Sequence, residues 1–182
     1  MEFPHIKTDR LRLNELTTAD IPFIVQYAGN KKISDTTLNI PYPYSEKDAE
    51  FWINLSHEGF KNGTNLIFAI RLKESSSFVG GISLKMERQF NRAEIGYWLA
   101  EQYWNKGYMT EAVKALLSYA FSELGLNKIT SSHLVSNPAS GKVMIKCGMH
   151  KEGELKQDRI KDGIYHDLLL YGITRDEYEA KQ

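Results

Sequence analysis

A glycine-bearing turn between a predicted strand and a predicted helix is the segment of the chain best suited to bind an anionic group. Residues 102–112 read Gln-Tyr-Trp-Asn-Lys-Gly-Tyr-Met-Thr-Glu-Ala and directly follow the strand-like run 93–99. Such a turn lets successive backbone N–H groups point into one space, and the N-terminus of the following helix adds its partial positive charge. Apolar residues behind the turn recur at helical spacing up to Gly125, a typical helix end. The segment therefore predicts a site for a pyrophosphate.

The elements on either side of this turn predict a single α+β domain over residues 1–182. Hairpin-linked strands come first and a strand–helix–strand unit follows, an order typical of a mixed sheet. Strands are predicted at Leu11–Leu16, Leu66–Leu72, Phe78–Arg88, Ala93–Leu99 and Lys128–Val135 and in a final two-stranded segment that includes Tyr165. Helices are predicted from Thr18 to Tyr27, from the N-cap Ser45, behind the turn, and from Asn137.

The last of these helices has strong end signals of its own. Asn137 is a favourable N-cap, Pro138 takes the first helical position, and Gly148 follows the last turn. Capping alone explains the asparagine, so local sequence does not require a role for it in ligand binding.

These segments together resemble the motifs of the GNAT superfamily, whose members transfer acetyl from acetyl-coenzyme A to amines. Residues 94–112, with Glu-Ile-Gly-Tyr-Trp-Leu before Tyr-Trp-x-Lys-Gly-Tyr-x-Thr-Glu-Ala, are similar to motif A of the RimJ/RimL-like branch. Residues 8–13 resemble that branch's opening strand, and 137–140 and 147–149 its motif B. The resemblance covers nearly all of the chain. It implies the GNAT fold, a mostly antiparallel central sheet of about seven strands flanked by about four helices.

The resemblance also implies acetyl-coenzyme A as the cosubstrate. Relative to the superfamily's general turn pattern, Trp104 replaces an Arg or Gln and Met109 replaces a small residue, whereas Gly107 matches. Asn137 is expected to contact the pantetheine arm, and the paired lysines of the motif B helix either reach the 3′-phosphate or are merely solvated. Tyr97 and Trp98 are expected mainly to pack in the core. The implied coenzyme-binding residues are Trp98, Leu99, Trp104, Asn105, Lys106, Gly107, Tyr108, Met109, Thr110, Asn137, Lys142 and Lys146.

Transfer of acetyl to an amine requires the neutral amine, so the acceptor decides how strong a base is needed. At pH 7, neutralising a lysine-like amine costs roughly 4–5 kcal/mol, whereas an N-terminal α-amine costs only about 1 kcal/mol. Glu94 is the first candidate base, since many members of the superfamily place a glutamate on this strand; a structural role is the alternative. Asp158 is the second candidate. The position that aligns with the branch's own base glutamate holds Arg159, a departure from its pattern.

The leaving thiolate also needs stabilisation. Many members of the superfamily carry a tyrosine acid at the position that holds Met144 here. Ser140 occupies the place that RimL-like enzymes use near the sulfur, and its hydroxyl can donate a hydrogen bond to a thiolate. A serine bonded to the helix backbone is the alternative. Cys147 fits a buried apolar position better than a nucleophile, so direct transfer without an acyl-enzyme is favoured.

Composition narrows the class of protein. Hydrophobic residues make up 42% and charged residues 25% of 182, ordinary values for one compact domain. A single cysteine fits a reducing, cytoplasmic compartment, and no run is long and apolar enough to span a membrane. The 23 basic and 23 acidic side chains balance, unlike those of a dedicated nucleic-acid binder. The five histidines lack metal-ligand spacing, so we expect no metal. We expect a monomer or a homodimer.

Three functions fit these observations. The first is acetylation of N-terminal α-amines of proteins, which is the activity of the resembled branch toward ribosomal proteins. The second is acetylation of a small-molecule amine such as a polyamine, an amino acid or a drug. The third is a non-catalytic acyl-CoA-binding regulatory module, suggested by Met109, Met144 and Arg159. Acceptor contacts are expected from residues 33–60 and from a loop at 157–165, whose acidic side chains could attract a cation.

Overall fold

A computed structural model describes residues 2–181 as a mixed sheet with helices on both faces. The strands are β1 Ile6–Lys7, β2 Leu11–Glu15, β3 Asn65–Leu72, β4 Phe78–Glu87, β5 Arg92–Leu99, β6 Lys128–Leu134, β7 His150–Lys161 and β8 Ile164–Thr174. The α-helices are α1 Ile21–Ala28, α2 Lys31–Thr36, α3 Glu46–Asn62, α4 Tyr108–Ser122, α5 Pro138–Lys146 and α6 Arg175–Glu179. The strand order is β1-β2-β3-β4-β5-β6-β8-β7, and only β5 and β6 among the described neighbours are parallel.

This architecture confirms the α+β class and the GNAT fold. The described residues form eight strands where about seven were expected, and the short β1 accounts for the difference. Helix α3 begins where its cap predicted: the Ser45 side chain accepts from the Asp48 amide, and the Asp48 carboxylate accepts from the Ser45 amide at 2.8 Å. The first predicted helix opens as a 3₁₀ turn at Thr18–Asp20 before α1, which carries proline in its first turn.

Residues 31–36 form a helix that the sequence analysis missed. Lys31 and Lys32 lie in its first turn, with both side chains exposed. The Asn30 side chain caps the helix by accepting from the Lys32 amide at 3.0 Å, and Lys31 pairs with Asp35 one turn later at 2.6 Å. Because the helix has only six residues, its apolar periodicity was too short to recognise.

The predicted loop at 157–165 is also wrong, since β7 and β8 continue as a hairpin almost to its tip. The ladder extends to the Lys161↔Ile164 pair. Asp162 and Gly163 form the tip, both with left-handed φ of 50° and 77°. Two consecutive left-handed residues match the twist of the flanking strands, which is why Asp-Gly favours a two-residue hairpin. The dipeptide Asp162-Gly163 is therefore a sequence signal for a hairpin at this position, not for a long loop.

Apolar side chains form two clusters, one on each face of the sheet. The larger cluster joins the sheet to α4 and α5, and its members include Leu116, Leu117 and Met144. The smaller one joins the sheet to α1 and α3 through residues such as Ile24 and Ile53. Strand β3 alternates between them: Leu66, Phe68 and Ile70 belong to the larger cluster, and Ile67 and Ala69 to the smaller one. The faces of β5 can therefore be assigned.

The length and hydrophobicity of the described helices can be compared with what a membrane span requires. The longest, α3, has 17 residues and carries charged side chains along its length. No helix within residues 2–181 is long and apolar enough to cross a bilayer.

Candidate active site

Strands β5 and β6 pair over only half of their length and then diverge. The parallel ladder runs from Arg92↔Lys128 to Ile95↔Ser131 and stops there. The strands themselves continue to Leu99 and Leu134. We call the opening between residues 96–99 and residues 132–134 the strand gap. The backbone edges that face it are not paired with each other, so an extended ligand can reach both faces of the sheet there.

The two faces of β5 present different side chains to the strand gap. Trp98 lies on the face covered by α1 and α3, with ring centroids 5.8 Å from Trp52 and 5.9 Å from Phe78. Glu94 shares that face by the period-two alternation of a strand. Tyr97 lies on the opposite face and packs against the α4–α5 cluster. Tyr97 and Trp98 thus both pack in the core, as expected, and the Trp98 ring contacts two other aromatic rings.

The turn before α4 presents a run of free backbone donors. Among the described residues, the N–H groups from Asn105 to Thr110 make no hydrogen bond to the protein. Asn105 and Gly107 adopt left-handed φ values of 60° and 78°, which turn the chain into the helix. Unpaired N–H groups at the N-terminus of a 15-residue helix attract an anion. The predicted turn thus has the donors that a pyrophosphate of coenzyme A requires.

Side chains around the turn hold its outer side in place. The Trp104 indole N–H donates to the Leu99 carbonyl at 2.6 Å, which ties the turn to the end of β5. The Met109 side chain is buried in the core, so its backbone alone can face a ligand. The Tyr108 ring lies under the guanidinium of Arg10, 4.6 Å from the ring centroid. These residues therefore shape the turn with their side chains, and binding of the coenzyme by their backbone stays a prediction.

Arg10, between β1 and β2, and Glu111, in the first turn of α4, hold the same turn in place. Arg10 Nη1 donates to the Lys106 carbonyl at 3.0 Å, and its Nε pairs with Glu111 at 2.6 Å. Glu111 also accepts from the Thr8 hydroxyl at 2.6 Å and from the Arg10 amide at 2.9 Å. Burial alone would raise the pKa of Glu111, but these hydrogen bonds outweigh it and lower the pKa. Because the Lys106 carbonyl is held outward, the following N–H groups remain free to face the ligand.

We expect Arg10→Ala to raise the KM for acetyl-CoA without changing kcat. A hydrogen bond from a charged group contributes about 1.5–3 kcal/mol, which corresponds to a roughly 10-fold or larger rise in KM. Steady-state kinetics at saturating acceptor measures the change. Arg12→Ala is the matched control, because Arg12 lies two residues further along β2 and is exposed. An equal KM for the two variants would contradict this role of Arg10.

The N-terminus of α5 borders the strand gap on the Tyr97 face. The Asn137 side chain caps the helix by accepting from the Ser140 amide at 3.3 Å, and its amide donates to the Thr36 carbonyl at 3.0 Å. Asn137 is thus a cap, as its local sequence predicted, and also a link to the end of α2. Lys142 and Lys146 are exposed on α5. Their contact with a 3′-phosphate stays a prediction.

Ser140 contacts Tyr97 rather than the helix backbone. Its Oγ donates to the Tyr97 hydroxyl at 2.8 Å, and that hydroxyl donates to the Ser140 carbonyl at 3.0 Å. Met144, one turn later, is 1% exposed and packs in the core. Burial raises the pKa of the Cys147 thiol to about 11, so this thiol is protonated at neutral pH and is a poor nucleophile. Ser140 is therefore the polar side chain of α5 that is suited to interact with a leaving thiolate.

The two candidate bases lie in different surroundings. Glu94 is half-buried at the closed end of the strand gap, where the Ser132 hydroxyl donates to its carboxylate at 3.3 Å. Asp158 is paired with its neighbour Arg159 on β7. Strand β7 is two strands from β6, a separation of about 10 Å across the sheet. The contact with Ser132 therefore places Glu94 at the strand gap, and the role of either carboxylate as the base stays a prediction.

The segment that follows α2 is tied to the tip of the β7–β8 hairpin by Lys161. The Lys161 ammonium donates to the Thr37 carbonyl at 2.7 Å, to the Ile40 carbonyl at 3.2 Å and to the backbone carbonyl of Ser34. Burial lowers the pKa of Lys161. Together with the Asn137 link to α2, this contact joins the two segments that were expected to meet the acceptor.

Four residues of the site were not predicted from the sequence to have a functional role: Arg10, Tyr97, Glu111 and Lys161. Arg10 stood in the recognised opening-strand pattern, but the turn that it clamps lies 96 residues away. Tyr97 had been interpreted only as a packing residue. No local pattern marks a lysine whose partners are backbone carbonyls more than 120 residues away.

Comparison with known proteins agrees with this geometry. Residues 10–150 match the acetyltransferase (GNAT) domain family. The chain is 32% identical over 177 residues to the uncharacterized N-acetyltransferase p20 of Bacillus licheniformis, covering 94% of this chain and 96% of p20. It is 31% identical over 149 residues to the ribosomal-protein-serine acetyltransferase of Escherichia coli, covering 81% and 82% of the two chains.

Among solved structures, the fold is similar to that of RimL, described as a ribosomal L7/L12 alpha-N-protein acetyltransferase in complex with coenzyme A. The TM-score is 0.87 at 21% identity, and the match covers 96% of this chain and 99% of RimL. At that identity the likeness concerns the fold alone, whereas the domain match and the two relatives extend over most of the sequence. The protein therefore belongs to the GNAT family and is an acetyl-CoA-dependent N-acetyltransferase.

Proposed function

We propose that the protein acetylates N-terminal α-amines of proteins, in the manner of the RimJ/RimL-like branch. The observation that carries the proposal is the position of Glu94 as a half-buried carboxylate at the strand gap, hydrogen-bonded only by Ser132 among the described residues. A single carboxylate of this kind can relay a proton to water. Such a relay is better matched to an α-amine, which is about one tenth neutral at pH 7, than to a lysine-like amine, whose neutralisation costs roughly 4–5 kcal/mol.

The charges on the acceptor side support the same choice of substrate. Three of the acids that could have attracted a cation already have partners: Asp35 pairs with Lys31, Asp48 caps α3, and Asp158 pairs with Arg159. Lys161 adds a positive charge beside the same segment. A polyamine is bound best by carboxylates that have no other partner, so the pairing of these three weakens the small-molecule alternative.

The proposed reaction is a direct transfer across the strand gap. The neutral amine enters from the Glu94 face and attacks the thioester carbonyl, forming the C–N bond. The C–S bond then breaks, and the thiolate is stabilised by a hydrogen bond from Ser140 on the opposite face. The proton lost by the amine nitrogen leaves through Glu94 and water. Because Glu94 and Ser140 lie on opposite faces of β5, a substrate that spans the strand gap can contact both.

We expect a peptide with a free α-amine and a small first residue to be acetylated faster than other amines. The competing acceptors are the same peptide with a blocked N-terminus and one internal lysine, and spermidine. Mass spectrometry of the products locates the modification. Acetylation confined to the internal lysine or to spermidine would overturn the proposed acceptor.

The same assay gives the pH dependence. The rate should rise with pH through the α-amine pKa of about 8, since the neutral fraction of the amine increases. Glu94→Gln should lower kcat/KM about 10–100-fold near pH 7 and less at pH 9, where the acceptor is already neutral. Glu74→Gln, in the exposed turn between β3 and β4, is the control. A uniform loss at all pH values would indicate a structural role for Glu94.

A further inference from the structure

The hydroxyl of Tyr97 is joined to Ser140 by two hydrogen bonds, one to the side-chain oxygen and one to the carbonyl oxygen of the serine. Ser140 Oγ donates to the Tyr97 hydroxyl at 2.8 Å, and the Tyr97 hydroxyl donates to the Ser140 carbonyl at 3.0 Å. The tyrosine comes from the half of β5 that pairs with β4 but not with β6, and the serine comes from the first turn of α5. A phenol from a strand therefore reaches the serine that faces the strand gap.

The Tyr97–Ser140 pair lies beside α5, which lacks the tyrosine acid that many members of the superfamily carry on this helix. Met144 is buried at the position where the resembled superfamily often carries a tyrosine, so α5 has no phenol of its own there. Burial raises the pKa of the Tyr97 hydroxyl. The phenol thus stays protonated at physiological pH, and it can donate a hydrogen bond but cannot act as a base.

We propose that Tyr97 is a positioning residue that acts through Ser140 to stabilise the departing coenzyme A thiolate. The proposal rests on the assigned role of Ser140. As the C–S bond breaks, the Ser140 hydroxyl turns its hydrogen from the Tyr97 oxygen to the sulfur. The Tyr97 hydroxyl then turns its hydrogen from the Ser140 carbonyl to Ser140 Oγ. No covalent bond to hydrogen breaks in this rearrangement, and the electron pair of the C–S bond remains on the sulfur.

The geometry makes this reversal easy. The two oxygen atoms are already at hydrogen-bond distance, so only the hydrogen atoms must rotate. A hydroxyl that accepts one hydrogen bond becomes a stronger donor of another, because the bonds polarise each other. Without Tyr97, the Ser140 hydroxyl would lack the donor that strengthens it.

The ionisation of bound coenzyme A tests the proposal without any acceptor. A thiolate absorbs ultraviolet light more strongly than its thiol, so a pH titration of the binary complex with coenzyme A follows the ionisation of the thiol. In the unmodified protein we expect the thiol to ionise roughly one pH unit below the free thiol, since donors stabilise the thiolate. Tyr97→Phe should remove about half of that shift, and Ser140→Ala should remove most of it. An undiminished shift in Tyr97→Phe would overturn the proposal.

Kinetics distinguishes this role from simple packing. With any amine that the protein acetylates, Tyr97→Phe should lower kcat about 5–20-fold and leave the KM for acetyl-CoA within about 2-fold. Adding Tyr97→Phe to Ser140→Ala should produce no further loss, because the tyrosine acts only through the serine. Additive losses would contradict the proposal. Tyr119→Phe on α4 is the matched control, since its ring packs on Phe68 in the same core.

The outcome is independent of which amine is the natural acceptor. If peptides are not acetylated but coenzyme A still ionises early in the complex, the proposed acceptor fails and the role of Tyr97 stands. If peptides are acetylated and Tyr97→Phe changes neither kcat nor the titration, the role of Tyr97 fails alone.

Discussion

Replacing Gly107 with aspartate is expected to weaken acetyl-CoA binding at least 100-fold. The glycine sits at the N-cap of α4, within the run of free N–H groups, and has a φ of 78°. A carboxylate at about 5 Å from one phosphate charge costs about 3 kcal/mol at an effective dielectric constant of 20, and a pyrophosphate carries at least two charges. The substitution therefore acts directly on the electrostatics of the site.

The variant should fold, so that the loss can be attributed to the ligand. Aspartate tolerates left-handed φ better than most residues, and a Cβ built on Gly107 meets only the Arg10 guanidinium, at 3.4 Å. Gly107→Asn is the matched control because it has the same size and backbone preference without the charge. We expect the asparagine variant to lose much less affinity than the aspartate variant.

Thermal unfolding measures this difference without an acceptor. At about 100 times its dissociation constant, acetyl-CoA should stabilise the unmodified protein by about 2.7 kcal/mol. For a chain of this size, that corresponds to a rise in Tm of roughly 5–10 °C. The aspartate variant should show no rise at the same concentration. A full rise in that variant would mean that the pyrophosphate is bound elsewhere.

Replacing Ser140 with alanine is expected to lower kcat about 10–100-fold and to change the KM for acetyl-CoA little. The hydroxyl is needed only when charge develops on the sulfur. Its removal does not disturb the helix cap, because the cap is formed by Asn137 and the backbone amide of Ser140. Steady-state kinetics with a peptide acceptor gives both constants.

The exposed Ser136, just before α5, provides the control substitution to alanine. A rise in KM with an unchanged kcat would show that Ser140 only positions the coenzyme. A loss of thermal stability larger than that of the control would instead indicate a structural role for the contact between Ser140 and Tyr97.

Local sequence was sufficient for most of the helices and strands and for the turn around Gly107. The N-caps Ser45 and Asn137 work through atoms within three residues of the cap, so their types and spacing specify the helix starts. The strand followed by a turn around Gly107 likewise depends on neighbouring residues. The short α2 was not predicted, because six residues show little periodicity. The final two-stranded segment was predicted, but the expected loop at 157–165 is part of its hairpin.

The tertiary structure decided how these elements form a site. Period-two alternation placed Glu94 and Trp98 together, but only packing against α1 and α3 showed which face of the sheet they occupy. The strand gap itself results from two strands that stop pairing halfway, a property of their relative direction and not of either sequence. Arg10 contacts Lys106 in the turn before α4, 96 positions away, and Tyr97 contacts Ser140, 43 positions away. Such contacts have no local signature, because the chain must fold before their atoms meet.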